Sequence, residues 1–329
     1  MVGEAVHTGS CNPLICRGWL LPLLALTLVL ILTGTAAADG CTEGGYCPER
    51  TLTFTRNDIA SLHGAAGAKA ADIDGDGDLD VVAAGYEADN FVWYENTGTD
   101  WSTTVIASRI DHAHGVDTAD FDGDGDLDVL AIAATGGGLI RWYANPGTGS
   151  WSATTITTSF TQVNAIQTVD MDDDGDPDVL ATCGNGDQIA WYRNDDKGTS
   201  WTQVIIARVV DRPFSPSAVD MDGDGDLDVL VAITNEDEVA WFENADGAAT
   251  LWTRHVIDPA SDGAHDVHAT DMDGDGDLDL VAVAKYGSEV AWYERGTPFG
   301  SALEFDGSDD HIVLSNPSGF DFGTADFSM

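Results

Sequence analysis

The sequence predicts an all-β chain, a β-propeller of about five four-stranded blades. Three observations carry this. A nine-residue acidic run recurs five times at near-constant spacing. Short apolar and aromatic runs of strand length keep a fixed phase to it, bounded by Gly, Asn, Asp and Pro. Beyond the N-terminal segment, no stretch shows helical periodicity of useful length.

The acidic runs begin at Asp72, Asp120, Asp170, Asp220 and Asp271, spaced 48, 50, 50 and 51 residues apart. Each period holds the same four segments. A short strand precedes the run, as in 114–120 or 217–220. An apolar strand follows it: 79–84, 127–133, 179–182, 227–233 and 278–284. Next comes an aromatic strand, Phe91-Val-Trp-Tyr-Glu-Asn96, recurring at 140–145, 189–194, 239–244 and 290–295. A Trp-led strand rich in Thr, Val and Ile closes the period at 101–107, 151–157, 201–207 and 252–257. Four antiparallel strands per ~50 residues make one propeller blade, and single blades must stack on neighbours to bury both faces. Trp93, Trp142, Trp191, Trp241 and Trp292, central in the aromatic strands, are expected to supply the packing between blades.

The last period stops after Thr297 without a Trp-led strand. Residues 51–60 resemble an orphan fourth strand, with Phe54 in the tryptophan's place. The expectation is that this N-terminal strand completes the fifth blade and closes the ring, removing exposed edges.

The flanks differ in character. Trp19 to Leu32 is an apolar run of 14 residues, too short to span a bilayer, followed by the small residues Thr33-Gly-Thr-Ala-Ala-Ala38. Residues 1–38 read as a cleaved signal peptide, so the mature chain is expected to be secreted and to lack a membrane span. Residues 39–50 form a linker in which Cys41 and Cys47 could close a small disulfide, with an interior place for Cys183. The propeller is assigned to 51–300.

Each acidic run places carboxylates at positions 1, 3, 5, 7 and 9: Asp72, Asp74, Asp76, Asp78 and Asp80 in the first. The others are Asp120, Asp122, Asp124, Asp126 and Asp128; Asp170, Asp172, Asp174, Asp176 and Asp178; Asp220, Asp222, Asp224, Asp226 and Asp228; and Asp271, Asp273, Asp275, Asp277 and Asp279. Five acids this close repel one another, and a hard cation resolves the conflict. Asp at 1, 3 and 5 with Gly at 6 is how an EF-hand-type calcium loop begins. By that pattern positions 1, 3, 5 and 9 offer side-chain oxygens and position 7 its carbonyl. The expected cofactor is Ca²⁺, about five ions. The third copy departs, with Asp173 at position 4 and Pro177 at position 8, but it keeps its ligand positions.

The net charge is −44, and the five loops hold 26 of the 57 acidic residues. Five calcium ions would return only about ten charges, so the remaining surface stays acidic. That argues against nucleic acid or an anionic membrane as partner.

The acidic run followed by Ala-Trp-Tyr-Glu-Asn-type strands resembles the FG-GAP or VCBS-type repeat, related to the integrin α-subunit propeller, over residues 51–297. The resemblance implies calcium bound in the loop between the first two strands of each blade. From Ala302 onward, Ala-Leu-Glu-Phe-Asp-Gly-Ser-Asp-Asp-His-Ile-Val-Leu resembles the opening of a laminin-G-like, concanavalin-type jelly roll, so 301–329 is read as an incomplete domain of that kind.

No nucleophile motif or phosphate loop is present in the sequence. Positions that vary between repeats are the better place to seek function. Six residues before each run stand Ala66, His114, Asn164, Phe214 and His265; three before stand Lys69, Asp117, Gln167, Ser217 and His268. If the strand before the loop is innermost, these residues lie near the axial channel. Two readings follow. One is a secreted binding or adhesion module for carbohydrate or extracellular protein, with structural calcium. The other is a sugar-active enzyme of lyase or dehydratase type, for which His114, His265 and His268 would have to gather round one cavity.

Overall fold

The computed structural model describes residues 55–134 and 137–296. The chain divides into two units, Met1–Asp58 and Ile59–Met329. Of the first, only residues 55–58 are described, and they carry no regular structure. The signal-peptide, Cys41–Cys47 and 301–329 assignments lie outside the described residues.

The second unit is all β. Its first blade is β1 (Ala65–Ala71), β2 (Asp80–Gly85), β3 (Asn90–Asn96) and β4 (Trp101–Ser108). The second is β5 (Ala113–Ala119), β6 (Asp128–Ala133), β7 (Leu139–Ala144) and β8 (Ser152–Thr157). The third is β9 (Val163–Val169), β10 (Asp178–Cys183), β11 (Gln188–Asn194) and β12 (Trp201–Arg208). The fourth is β13 (Pro213–Val219), β14 (Asp228–Ile233), β15 (Glu238–Asn244) and β16 (Trp252–Asp258). The fifth has three strands among the described residues: β17 (Ala264–Thr270), β18 (Asp279–Ala284) and β19 (Glu289–Tyr293). Every sheet is an antiparallel meander in chain order. The segments read from the sequence match these strands to within a few residues.

Burial explains the sequence pattern. The second strand of a middle blade is covered on both faces by neighbouring blades, so all six residues of β6, β10 and β14 are buried. That is why these strands read as continuous apolar runs instead of alternating ones. The core is therefore a series of layers between blades. One joins Phe121, Leu130, Ile132, Ile140 and Trp142 to Val179, Ala181, Ala190 and Tyr192 of the next blade, with Cys183 packed among them as a buried free thiol. Similar layers join the first blade to the second, the third to the fourth and the fourth to the fifth.

Trp93, Trp142, Trp191 and Trp241 pack in these layers. The indole N–H groups of Trp142 and Trp191 reach across to the Gly198 and Ala249 carbonyls at 3.2 and 3.1 Å. Trp292 departs from the expectation. It is exposed, and among the described residues no further blade covers the fifth.

Closure by an N-terminal strand is also corrected. Residues 55–60 form no strand, and β19 pairs only with β18 among the described residues; residues 51–54 lie outside them. The physical reason is visible just downstream. A turn with Ala65 N–H donating to the Leu62 carbonyl directs Leu62 onto Ala83, Val92 and Tyr94, on the outward face of the first blade. This approach to β1 is committed to the first blade, not to the edge of the fifth.

Candidate metal loops and axial cavity

Each acidic loop joins the first two strands of its blade, and its turns are set by glycine. Position 6 has φ between 92° and 100° in all five copies (Gly77, Gly125, Gly175, Gly225, Gly276), a region closed to side chains with a Cβ. The position 1 carboxylate gathers the loop's backbone: Asp72 accepts from Gly75 N–H at 2.9 Å and Gly77 N–H at 3.0 Å. The bonds from positions 4 and 6 recur at Asp120, Asp220 and Asp271. In the third loop Asp173 holds position 4 at φ 56°, and Asp170 accepts from Asp174 and Gly175 N–H instead.

Position 9 is a buried clamp. Asp80 accepts Ile73 N–H at 3.1 Å and Asn96 N–H at 2.7 Å, so one carboxylate binds the loop to the end of the third strand. Asp128, Asp178, Asp228 and Asp279 repeat it.

Folding brings positions 1, 3 and 9 together. In each loop one oxygen from each of these three residues lies within 4.8 Å of the other two: Asp72, Asp74 and Asp80; Asp120, Asp122 and Asp128; Asp170, Asp172 and Asp178; Asp220, Asp222 and Asp228; Asp271, Asp273 and Asp279. Positions 5 and 7 stand outside these groups: Asp76, Asp124, Asp174, Asp224 and Asp275, then Asp78, Asp126, Asp176, Asp226 and Asp277. The position 7 carboxylate leans toward the turn after the third strand, where a Cβ on Gly98 would meet Asp78 Oδ2 at 3.5 Å.

These groups can hold metal ions, and the electrostatics fit a cation. Burial, reinforced by neighbouring carboxylates, pushes the Asp128 and Asp178 carboxyls up to about 7. Asp74, Asp122, Asp172 and Asp228 are raised for the same first reason. Asp279, in the last blade among the described residues, is instead held low by the Arg295 backbone N–H. Asp172 Oδ1 and Asp277 Oδ1 are buried without a hydrogen-bond partner. Oxygen-only, carboxylate-rich donor sets of this kind suit a hard divalent ion.

One role was missed in the sequence. In the second and third blades the Asn closing the aromatic strand ties the acidic loop to the loop of the preceding blade. Asn145 Nδ2 donates to the Ile73 carbonyl at 2.7 Å, and Asn194 Nδ2 to the Phe121 carbonyl at 2.9 Å. In the fifth blade Arg295 Nη1 makes the equivalent bond to the Met221 carbonyl at 2.8 Å. Recurrence of Asn in four of the five aromatic strands was the available signal.

The strand before each loop is innermost. Lys69, Asp117, Gln167, Ser217 and His268, one from each blade, line a single axial cavity of about 320 Å³. Several also tie neighbouring inner strands together. Asp117 takes Lys69 Nζ at 2.6 Å and Thr168 N–H at 2.9 Å, and Gln167 accepts Ala218 N–H at 2.8 Å. The residues three positions earlier do likewise: His114 Nε2 meets the Val163 carbonyl at 2.8 Å, Asn164 donates to the Pro213 carbonyl, and His265 stacks on Phe214. Of the three histidines only His268 reaches the cavity, 3.5 Å from Asp266.

A family model for FG-GAP-like repeats matches residues 72–131, 170–231 and 225–282, together just over half of the chain. The chain belongs to the FG-GAP-like repeat family. The chain is similar to the V. cholerae biofilm matrix protein Bap1, at 20% identity and a TM-score of 0.45 over 70% of this chain and 38% of that one. This FG-GAP-like chain thus spans well under half of the Bap1 structure. It is also similar to a functionally unknown protein from Desulfotomaculum acetoxidans DSM 771, at 11% identity and a TM-score of 0.47 over 72% of this chain and 71% of that one. No curated protein matches.

Proposed function

We propose that this FG-GAP-like protein is a secreted binding or adhesion module whose loops carry structural calcium, and that it recognises carbohydrate or protein at a cell surface. The supporting observation is where the polar side chains go. Five loops repeat one oxygen-rich triad, while most of the variable side chains of the inner strands serve joints between blades. When bound, calcium would neutralise the position 1, 3 and 9 carboxylates and brace each loop. No helix among the described residues is long and apolar enough to cross a membrane.

The enzyme reading needs His114, His265 and His268 around one cavity, and the three point to different places: a backbone carbonyl, an aromatic ring and the axial cavity. A glycan array and immobilised extracellular-matrix proteins, each probed in calcium and in chelator, test the proposal. Saturable, calcium-dependent retention without change in the ligand is the expected result. Cleavage or dehydration of a polysaccharide, abolished by His268→Ala, would overturn it.

A further inference from the structure

Around the axial cavity the hydrogen-bond acceptors are taken and the donors are not. Asp117 Oδ1 takes Lys69 Nζ at 2.6 Å and Thr118 N–H at 3.0 Å, and its Oδ2 takes Thr168 N–H at 2.9 Å. Gln167 Oε1 takes Ala218 N–H at 2.8 Å, leaving its amide NH₂ free. Asp266, behind the lining, accepts the Ser215 hydroxyl and stands 3.5 Å from His268 Nε2. Among the described residues the Gln167 NH₂ and the Ser217 hydroxyl have no hydrogen-bond partner, and Lys69 Nζ has one partner for three N–H groups. Those three donors come from different blades and line the same cavity of about 320 Å³. Lys69 is also one of only 13 Lys and Arg residues beside 57 acids, so a cation at the axis runs against the composition.

We infer that the axial cavity binds a carboxylated sugar by its acid group; this rests on the carbohydrate reading proposed above. A cation is a poor fit, because the lining carboxylate and amide oxygen are engaged in joints between inner strands. A neutral sugar presents hydroxyls that donate as well as accept, and would leave those donors short of partners. A carboxylate only accepts, and its bonds to Lys69 are charge-assisted. Val116, Ile166 and Pro216 supply an apolar wall for the C–H face of the ring. The cavity sits at the small end of the ~300–1,000 Å³ typical of ligand sites, which suits one sugar ring and not a length of chain.

Titration calorimetry of the full chain in saturating calcium uses D-glucuronate as probe and D-glucose as its neutral counterpart. D-glucuronate is expected to bind at a single site, about tenfold or more tighter than D-glucose. Ser217→Leu fills the cavity from a hydroxyl without a protein partner, so it should abolish binding and leave the melting temperature unchanged. Lys69→Gln should weaken D-glucuronate by about tenfold and leave D-glucose unaffected. Because Lys69 also holds Asp117, Ser217→Leu decides the matter if the lysine variant unfolds. Absence of D-glucuronate binding, D-glucose binding of equal strength, or binding that survives Ser217→Leu would overturn the inference. An oligoglucuronate that binds like the monomer identifies a chain end as the source of the acid, and one that is excluded identifies a free sugar acid; each supports the cavity as the site. Retention of neutral glycans on the array with no binding of D-glucuronate would sink the cavity assignment alone. An array that retains nothing, beside a chain that binds D-glucuronate, would sink only the adhesion reading.

Discussion

The amide of Asn194 donates to the carbonyl of Phe121, 73 residues earlier and in the preceding blade, at 2.9 Å. Its own backbone N–H is held by Asp178, position 9 of its own loop, at 2.8 Å. One buried residue thus joins two acidic loops and a strand end. Bonds of this kind join the first loop to the second, the second to the third and, through Arg295, the fourth to the fifth.

Removing that joint should be costly. Asn194→Ala leaves the Phe121 and Pro177 carbonyls without their donor, and a buried group that loses its partner costs about 1–3 kcal/mol. Asn96→Ala should cost less, because the Asn96 amide donates to the Leu79 carbonyl of its own loop and accepts from Gly98 N–H, with no bond to another blade among the described residues. Urea denaturation of the two variants measures the difference. Equal losses would mean the bond between blades contributes nothing.

The sign of the pH dependence follows from the carboxyls at position 9. Asp128 and Asp178 are raised to about 7 in the fold without metal, so the folded chain binds more protons than the unfolded one between the ordinary carboxylate range and neutrality. Stability of the metal-free protein should therefore fall as pH rises from about 4 to about 7. With calcium present the trend should reverse, because the ion competes with protons for the same oxygens. Melting temperatures across pH 4.5–7.5, in chelator and in calcium, check both slopes. A rising slope in chelator would contradict the account.

Ligand roles within a loop are separable. Asp74 brings one oxygen within 4.8 Å of oxygens of Asp72 and Asp80, whereas Asp78 stands outside that group and faces the Gly98 turn. Asp74→Ala should weaken calcium binding at that loop by more than Asp78→Ala. Titration calorimetry of the two variants decides, and equal losses would mean that Asp78 coordinates through its side chain.

The third loop carries its own handicap. Asp173 sits at φ 56°, where its counterparts are glycines and where a side chain costs roughly 1 kcal/mol. Asp173→Gly should raise the melting temperature and relieve one negative charge. A lower melting temperature would show that the Asp173 carboxylate has a positive role.

Much of this was legible in the sequence because the repeat states each feature five times. The phase of the acidic runs against the aromatic strands fixed the blade, and positions three before each run did prove to face one cavity. The joints were not legible. That Asn recurs after Trp-Tyr-Glu says nothing of which way its amide points, and only stacking at the blade-to-blade distance brings Ile73 or Phe121 within reach. Ring closure failed as a reading for a related reason. Residues 51–60 have the composition of a fourth strand, but Leu62 packs on the first blade's apolar face, a competing burial that periodicity does not reveal.

Calcium stoichiometry tests the central claim most directly. Protein dialysed against calcium and analysed by inductively coupled plasma mass spectrometry should carry about five ions per chain, one per loop triad. In excess chelator the same protein should lose them and melt many degrees lower. A chain that binds no calcium and melts identically in chelator would contradict the account.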